Sequence, residues 1–262
     1  MEKPKYEVAD ILREGFYQFD KKNKIPIHKV KTANAIMSCR TSKLGAHLDQ
    51  CDECNHIQIS YNSCRNRHCP KCQNLAKEKW LEDRKSELLP VQYFHVVFTI
   101  PDLLNEIILK NQTEMYNLLF QAASKTIVDL CKNRMEVDSG LIAILHTWGQ
   151  NLIYHPHLHC IVPGGGVSKN RLKWNSSKKK YLIPIKIISA VFRGKFLELF
   201  KKLYKEKCLN LKGNLASLYQ TEQFQKLIDQ LYQKKWVVFA KKPFATPMQV
   251  FNYLGRYTHR VL

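Results

Sequence analysis

The stretch His155-Pro156-His157-Leu158-His159-Cys160-Ile161-Val162, closed by Gly164-Gly165-Gly166, narrows what this chain can fold into more than any other. It reads as a β-strand, whose successive side chains point to opposite faces. His157 and His159 therefore share a face, about 6–7 Å apart along the backbone, while Leu158 turns the other way into a core. A sheet built on this strand must be apolar on one side and carry two imidazoles on the other. Two imidazoles on a rigid strand form half of a site for a divalent metal. The third protein ligand stays open among Gln150, His155 and Asn252.

Six of the nine cysteines lie between residues 39 and 72, which makes metal, not disulfides, the expected use of their thiols. Cys51-Asp52-Glu53-Cys54 and Cys69-Pro70-Lys71-Cys72 are two Cys-x-x-Cys knuckles separated by 14 residues, the spacing of a zinc ribbon. Ile57 to Tyr61 alternates like one strand of the ribbon hairpin. Cys39, His47, Cys64 and His68 interleave with the knuckles, and a cross-braced arrangement would give them a second zinc, so one or two ions are expected. With four protein ligands and no open position, the zinc is structural. Arg65, Arg67 and Lys71 surround it, as cations that could meet DNA phosphates.

The chain has 42 Lys plus Arg against 22 Asp plus Glu, a net charge of +20. That excess favours a polyanionic partner, nucleic acid above an acidic membrane surface. No apolar run is long enough to span a bilayer and Met1 to Lys5 leads into no signal-peptide core, so a cytoplasmic, nucleoid-associated protein is expected. Hydrophobic residues at 45% and a length of 262 fit a globular chain with one substantial domain and a smaller one.

In order, the periodicity predicts an amphipathic helix over about 5–19 and a second over about Ile27–Met37. The cysteine region follows, and then a helix over 73–89, stopped by Pro90. Tyr93 to Ile100 is a strand, 102–132 one long helix or two, and Gly140 to His146 another strand. The histidine strand comes next, then a basic hairpin over 168–184. Helices at about 188–207 and 220–234, a strand at 235–240 and a helix opened by Thr246 and Pro247 complete the chain. The expected class is α+β: a helical and zinc-ribbon module over 1–89, then over 90–262 an antiparallel sheet with helices on one face.

Tyr253 and Tyr257 stand at i and i+4 on that last helix, so both hydroxyls project from one side, with Arg256 and Arg260 on an adjoining stripe. Paired with the histidine strand, they suggest a phenol attacking phosphorus beside a metal ion. Mg²⁺ or Mn²⁺ is expected there. A His-hydrophobic-His strand followed by glycines is the metal motif of the HUH nucleases, which cut single-stranded DNA with a tyrosine.

Four stretches carry a closer resemblance: Asn62 to Cys72, His146-Thr147-Trp148-Gly149-Gln150, His155 to Cys160, and Tyr253 to Arg260. Together they resemble the two-tyrosine rolling-circle transposases of bacterial insertion sequences, the family numbered ninety-one. The resemblance implies a zinc-binding N-terminal domain that helps recognise the element's ends. It also implies an HUH nuclease domain that nicks single-stranded ends, with His157 and His159 as metal ligands and Tyr253 and Tyr257 as nucleophiles. Such proteins continue well past the tyrosine helix, whereas this chain stops at Leu262, so a C-terminally truncated member is expected. The competing expectation is a non-catalytic, zinc-dependent DNA-binding protein.

Overall fold

The computed structural model describes residues 5–149, 151, 153–177, 183–240 and 249. Gln150, Asn252, Tyr253, Arg256, Tyr257 and Arg260 lie outside the described residues, as does nearly all of the expected last helix. The described chain divides into two compact units, one ending at Glu87 and one beginning at Leu88.

In the first unit α1 (Val8–Asn23) and α2 (Ile27–Ser38) form a helical hairpin. Glu7 and Asp10 make a reciprocal cap at the start of α1, and the chain leaves α2 at Cys39 in an extended conformation. Strands β1 (Ala46–Gln50) and β2 (Ile57–Tyr61) pair antiparallel from Ala46↔Tyr61 to Gln50↔Ile57. The turn between them is held by Cys51 N–H to the His56 carbonyl and Asn55 N–H to the Cys51 carbonyl, both 2.9 Å. Helix α3 spans Pro70–Lys85. It starts earlier than periodicity suggests, because Cys69 serves as N-cap and Pro70 supplies the φ that the first helical position needs. The second knuckle is thus the first turn of a helix.

The second unit is built on a four-stranded antiparallel sheet. Its strands are β3 (Tyr93–Thr99), β5 (Ile142–Trp148), β6 (Tyr154–Pro163) and β9 (Val238–Ala240), in the order β5-β6-β3-β9. Between β3 and β5 run α4 (Asn105–Lys110), α5 (Gln112–Met135) and the short β4 (Val137–Asp138). After β6 come β7 (Gly165–Ser168) and β8 (Trp174–Ser176), then α6 (Ile185–Lys205) and α7 (Thr221–Gln233). The glycines do not simply end β6: Gly165 and Gly166 begin β7, which leaves the main sheet to pair with β4 and β8.

Register divides the sheet into two faces. Phe94, Val96 and Phe98 of β3, and Leu158, Cys160 and Val162 of β6, join one core with Leu119, Ala123 and Ile127 of α5 and Phe192, Phe196 and Phe200 of α6. Lys195 of α6 reaches Asp129 of α5 at 2.6 Å, binding the two helices at the rim of that core. Residues of the opposite parity, His95, Val97 and Thr99 with Ile161, His159 and His157, form the other face. The architecture is α+β, with helices packed on the apolar face of an antiparallel sheet.

Candidate metal centres

The Sγ atoms of Cys39, Cys64, Cys69 and Cys72 lie within 4.8 Å of one another. The Cys72 sulfur is 3.6 Å from that of Cys39 and 3.7 Å from that of Cys64. A tetrahedral zinc with Zn–S bonds of about 2.3 Å requires S–S edges of about 3.8 Å, so the cluster fits the ion. Each ligand has a local reason for its place. Cys39 ends α2; Arg65 adopts a left-handed φ of 51° that bends the chain after Cys64; Cys69 and Cys72 sit at the start of α3. A helix N-terminus favours negative charge, which suits thiolates. Burial pushes the Cys64 and Cys69 thiols up. It raises Cys72 too, but hydrogen bonds from the Cys39, Cys64 and Cys69 thiols outweigh it and leave Cys72 below the usual thiol value. Four such thiols do not ionise together without a cation between them.

The two Cys-x-x-Cys knuckles, expected from their spacing to share one ion, are held apart. Cys51 and Cys54 are exposed in the turn at the far end of the β1–β2 hairpin, while Cys69 and Cys72 are grouped with Cys39 and Cys64. The hairpin itself is the cause. Antiparallel pairing closes its base by bringing residue 40 to residue 62 (Arg40 N–H to the Asn62 carbonyl, 3.0 Å), and Cys39 and Cys64 flank that closure. A five-residue strand is about 17 Å long, which carries the first knuckle away from the base. At the tip, backbone N–H groups of Cys54 and Glu53 hold the Cys51 thiol below its ordinary value. His47 faces Asp49 at 3.7 Å, and His68 accepts a 3.1 Å hydrogen bond from Arg67; neither is in the cysteine group. Arg65 and Arg67 are exposed, whereas Lys71 is paired with Glu7 at 2.5 Å.

A second group lies on the histidine face of the large sheet. His146, His157 and His159 offer ring nitrogens within 4.8 Å of one another. Ring centroids are 5.3 Å apart for His146–His157, 4.5 Å for His146–His159 and 5.0 Å for His157–His159. His146 gets there by register, being directly opposite His157 in the β5–β6 pair. An irregularity in that pairing between His146 and Trp148 follows at once, a common feature beside functional sites. The start of β6 is pinned by Tyr154, whose hydroxyl is 2.9 Å from that of Tyr116 and whose carbonyl accepts from Asn105 at 3.2 Å.

His157 Nδ1 donates to the His155 carbonyl at 2.6 Å, which leaves Nε2 as the atom it could offer a metal. Burial lowers its pKa below the ordinary imidazole value, His146 and His155 add to the effect, and the carbonyl opposes it. His157 is therefore neutral near pH 7, the form that ligates metal. His155 contributes its carbonyl and is not one of the three grouped rings, although it lies 5.4 Å from His157. Gln150 and Asn252, the other candidates for the third ligand, lie outside the described residues. Behind the triad His95 is 1% exposed and meets His159 Nδ1 through Nε2 at 2.9 Å.

Sequence reasoning named the His146 motif but gave the residue no ligand role, and it passed over His95. A signal for His146 existed. Reflecting His157 through the middle of the short β5–β6 connection lands on Leu145, beside His146, and the irregularity between His146 and Trp148 moves the pairing by the remaining residue. For His95 there was none, because the β3–β6 register is set across more than sixty residues of chain.

Residues 11–100 match the family model described as "Transposase zinc-binding domain", a span that holds the whole cysteine cluster. Residues 140–262 match the model described as "Putative transposase", a span that holds the three histidines. Both spans are similar to parts of transposases. It is 44% identical over 258 residues to "Putative transposase y4qJ" of Sinorhizobium fredii (strain NBRC 101917 / NGR234), covering 97% of this chain and 65% of that protein. It is 27% identical over 234 residues to "Transposase for insertion sequence element IS801" of Pseudomonas savastanoi pv. phaseolicola, covering 87% of this chain and 54% of that one. The chain thus spans less than two thirds of the length of either relative. Among solved structures, the conjugative relaxase TrwC in complex with oriT DNA matches in a copper-bound and a metal-bound form. Each match has 10% identity and a TM-score of 0.35, covering 63% and 64% of this chain and 68% and 71% of the relaxase chains.

Among the described residues no helix is long and apolar enough to cross a membrane.

Proposed function

We propose that this chain is a DNA strand transferase that nicks and rejoins single-stranded ends of an insertion sequence. The observation that carries the reading is the convergence of His146, His157 and His159 on the sheet face away from the helices. Three imidazoles directed at one point have no packing use that an apolar side chain would not serve better. They form a site with room for further ligands, suited to a phosphate oxygen.

These residues would hold a divalent ion that polarises the scissile phosphate and neutralises charge developing on its oxygens. The all-nitrogen donor set suits Mn²⁺ better than Mg²⁺, which prefers oxygen ligands. Tyr253 and Tyr257 are the proposed nucleophiles. A phenol has a pKa of about 10 and must lose its proton to attack. Its oxygen forms a bond to phosphorus, the bond to the 3′ oxygen breaks, and that oxygen leaves as a hydroxyl after taking up a proton. The 5′ phosphate stays on the tyrosine as an ester, from which a second hydroxyl can regain the strand without a nucleotide cofactor. Two tyrosines allow one to hold a cleaved end while the other attacks, as rolling-circle transfer requires.

The zinc-binding unit, assigned to residues 1–89, is proposed to hold DNA, with Arg65 and Arg67 toward phosphates and the net charge of +20 favouring approach. Residues 90–262 are assigned to the nuclease, with Arg256 and Arg260 contacting the strand. The test is covalent trapping: with Mn²⁺ and labelled single-stranded element ends, a protein–DNA adduct should survive denaturing electrophoresis. It should vanish in the Tyr253→Phe/Tyr257→Phe double variant. Adduct of undiminished yield in that variant removes the tyrosine chemistry. Cleavage without adduct would indicate a water nucleophile, and salt-sensitive DNA binding with neither would leave a non-catalytic binding protein.

A further inference from the structure

His95 lies on β3, one strand in from the edge of the group, and takes no part in the three-histidine cluster. It is nonetheless among the most buried polar residues described, at 1% exposure, beside His159 at 7%. In the β3–β6 register His95 is opposite Ile161 and Val97 opposite His159, so His95 and His159 are diagonal neighbours on one face. Such neighbours are in reach of each other when both side chains are rings.

Their geometry identifies the contact. The planes are parallel within 5°, the centroids 5.1 Å apart, and Nε2 of His95 is 2.9 Å from Nδ1 of His159. Given that N···N distance, a centroid separation of this size is close to the largest two imidazoles can have. Both nitrogens must then lie on the line joining the ring centres. The rings are coplanar and edge to edge, not stacked face to face, and each nitrogen aims straight at the other. That excludes a metal shared by the two, whose lone pairs would have to meet at a third point. It is the geometry of a linear N–H···N hydrogen bond.

We propose that His95 is a positioning residue that fixes the tautomer and orientation of His159, so that His159 ligates through Nε2; the inference rests on the three-histidine site of the proposed function. A ligating imidazole carries its proton on the nitrogen away from the metal and gives it to an outer partner. His159 Nδ1–H therefore donates, and His95 accepts through Nε2 while holding its own proton on Nδ1. The same pattern recurs in the next ligand, where His157 donates Nδ1–H to the His155 carbonyl. Two of the three ligands are thus committed to Nε2 before an ion arrives. A neutral imidazole as acceptor also adds no charge behind the site, unlike a carboxylate.

The test is Mn²⁺ titration of the full chain, followed by electron paramagnetic resonance of the free ion, in wild type, His95→Leu and His95→Gln. Glutamine can place an acceptor where the His95 Nε2 stands; leucine cannot. Affinity should fall about 10–100-fold in His95→Leu and largely return in His95→Gln. In ¹⁵N-resolved spectra of the metal-free protein, His159 should carry its proton on Nδ1 in wild type and lose that preference in His95→Leu. Undiminished affinity in His95→Leu overturns the proposal, as does equal loss in both variants with equal loss of thermal stability. A wild type with the His159 proton on Nε2 overturns it even if His95→Leu does not fold. A wild type that takes up no Mn²⁺ removes the three-histidine site itself, a failure distinct from the others.

Discussion

Gly166 shows how tightly single positions are held around β7. A Cβ added there would run into the carbonyl of Asp138 and come within 2.8 Å of Val137 Cγ2. The backbone of β4 cannot withdraw from a neighbour it is hydrogen-bonded to. Gly166→Ala is therefore expected to destabilise the protein by about 1–3 kcal/mol, read as a lower midpoint in urea at unchanged m-value. Gly140→Ala, where nothing lies within 4 Å, is the control and should leave the midpoint nearly unmoved. At the same scale, His146 enters the histidine group through pairing geometry, because it is the residue directly opposite His157 in the β5–β6 register.

Helix α5 is the element on which the apolar face of the sheet depends, and Cys131 near its end reports on that packing. Burial pushes the Cys131 thiol up to about 11 from an ordinary value of 9.0, against a smaller opposing contribution from Ser139. The sign of the effect follows. Between those two values the unfolded chain has lost the thiol proton while the native state keeps it, so the native state binds more protons. Stability is then fully present below pH 9.0 and is lost as the pH rises toward 11. Thermal midpoints measured from pH 8 upward should fall across that window, and Cys131→Ala should flatten the fall. An equal slope in both would mean that α5 does not seal the thiol from water.

For the whole molecule, the two units are stabilised by different means. The second buries a large continuous core of aromatic and aliphatic residues. In the first, one buried cluster among the described residues is Ala9, Ile36, Cys39 and Cys69, with Leu12, Cys64 and Cys72 packed against it, and Ala33, Met37 and Leu81 are buried as well. Val8, Ile11, Tyr17 and Phe19 of α1 stay exposed. The cysteine cluster forms a large part of that small core, as in small domains that cannot bury enough apolar surface on their own. A strong chelator should therefore open residues 5–87 to protease while the second unit resists. Cys39→Ser should lose the zinc; Cys51→Ser/Cys54→Ser should retain it. Zinc loss in the double variant instead would restore the two-knuckle ribbon.

The α+β class, most of the elements and the regions that hold the cysteine and histidine groups were legible from the residues, because they follow from local rules. Alternation put His157 and His159 on one face and Leu158 on the other. Crowded cysteines signalled metal, and the four motifs, in order, signalled transposase ancestry. What needed the tertiary structure was every partner chosen across the chain. Closure of the β1–β2 hairpin set Cys39 and Cys64 beside Cys69 and Cys72, in place of the first knuckle. The β5–β6 register selected His146, and the β3–β6 register brought His95 to His159. Spacing along a chain specifies which way a side chain points, but strand register specifies what it meets. Register is decided by burying one whole face of a sheet at once, a condition that no single segment contains.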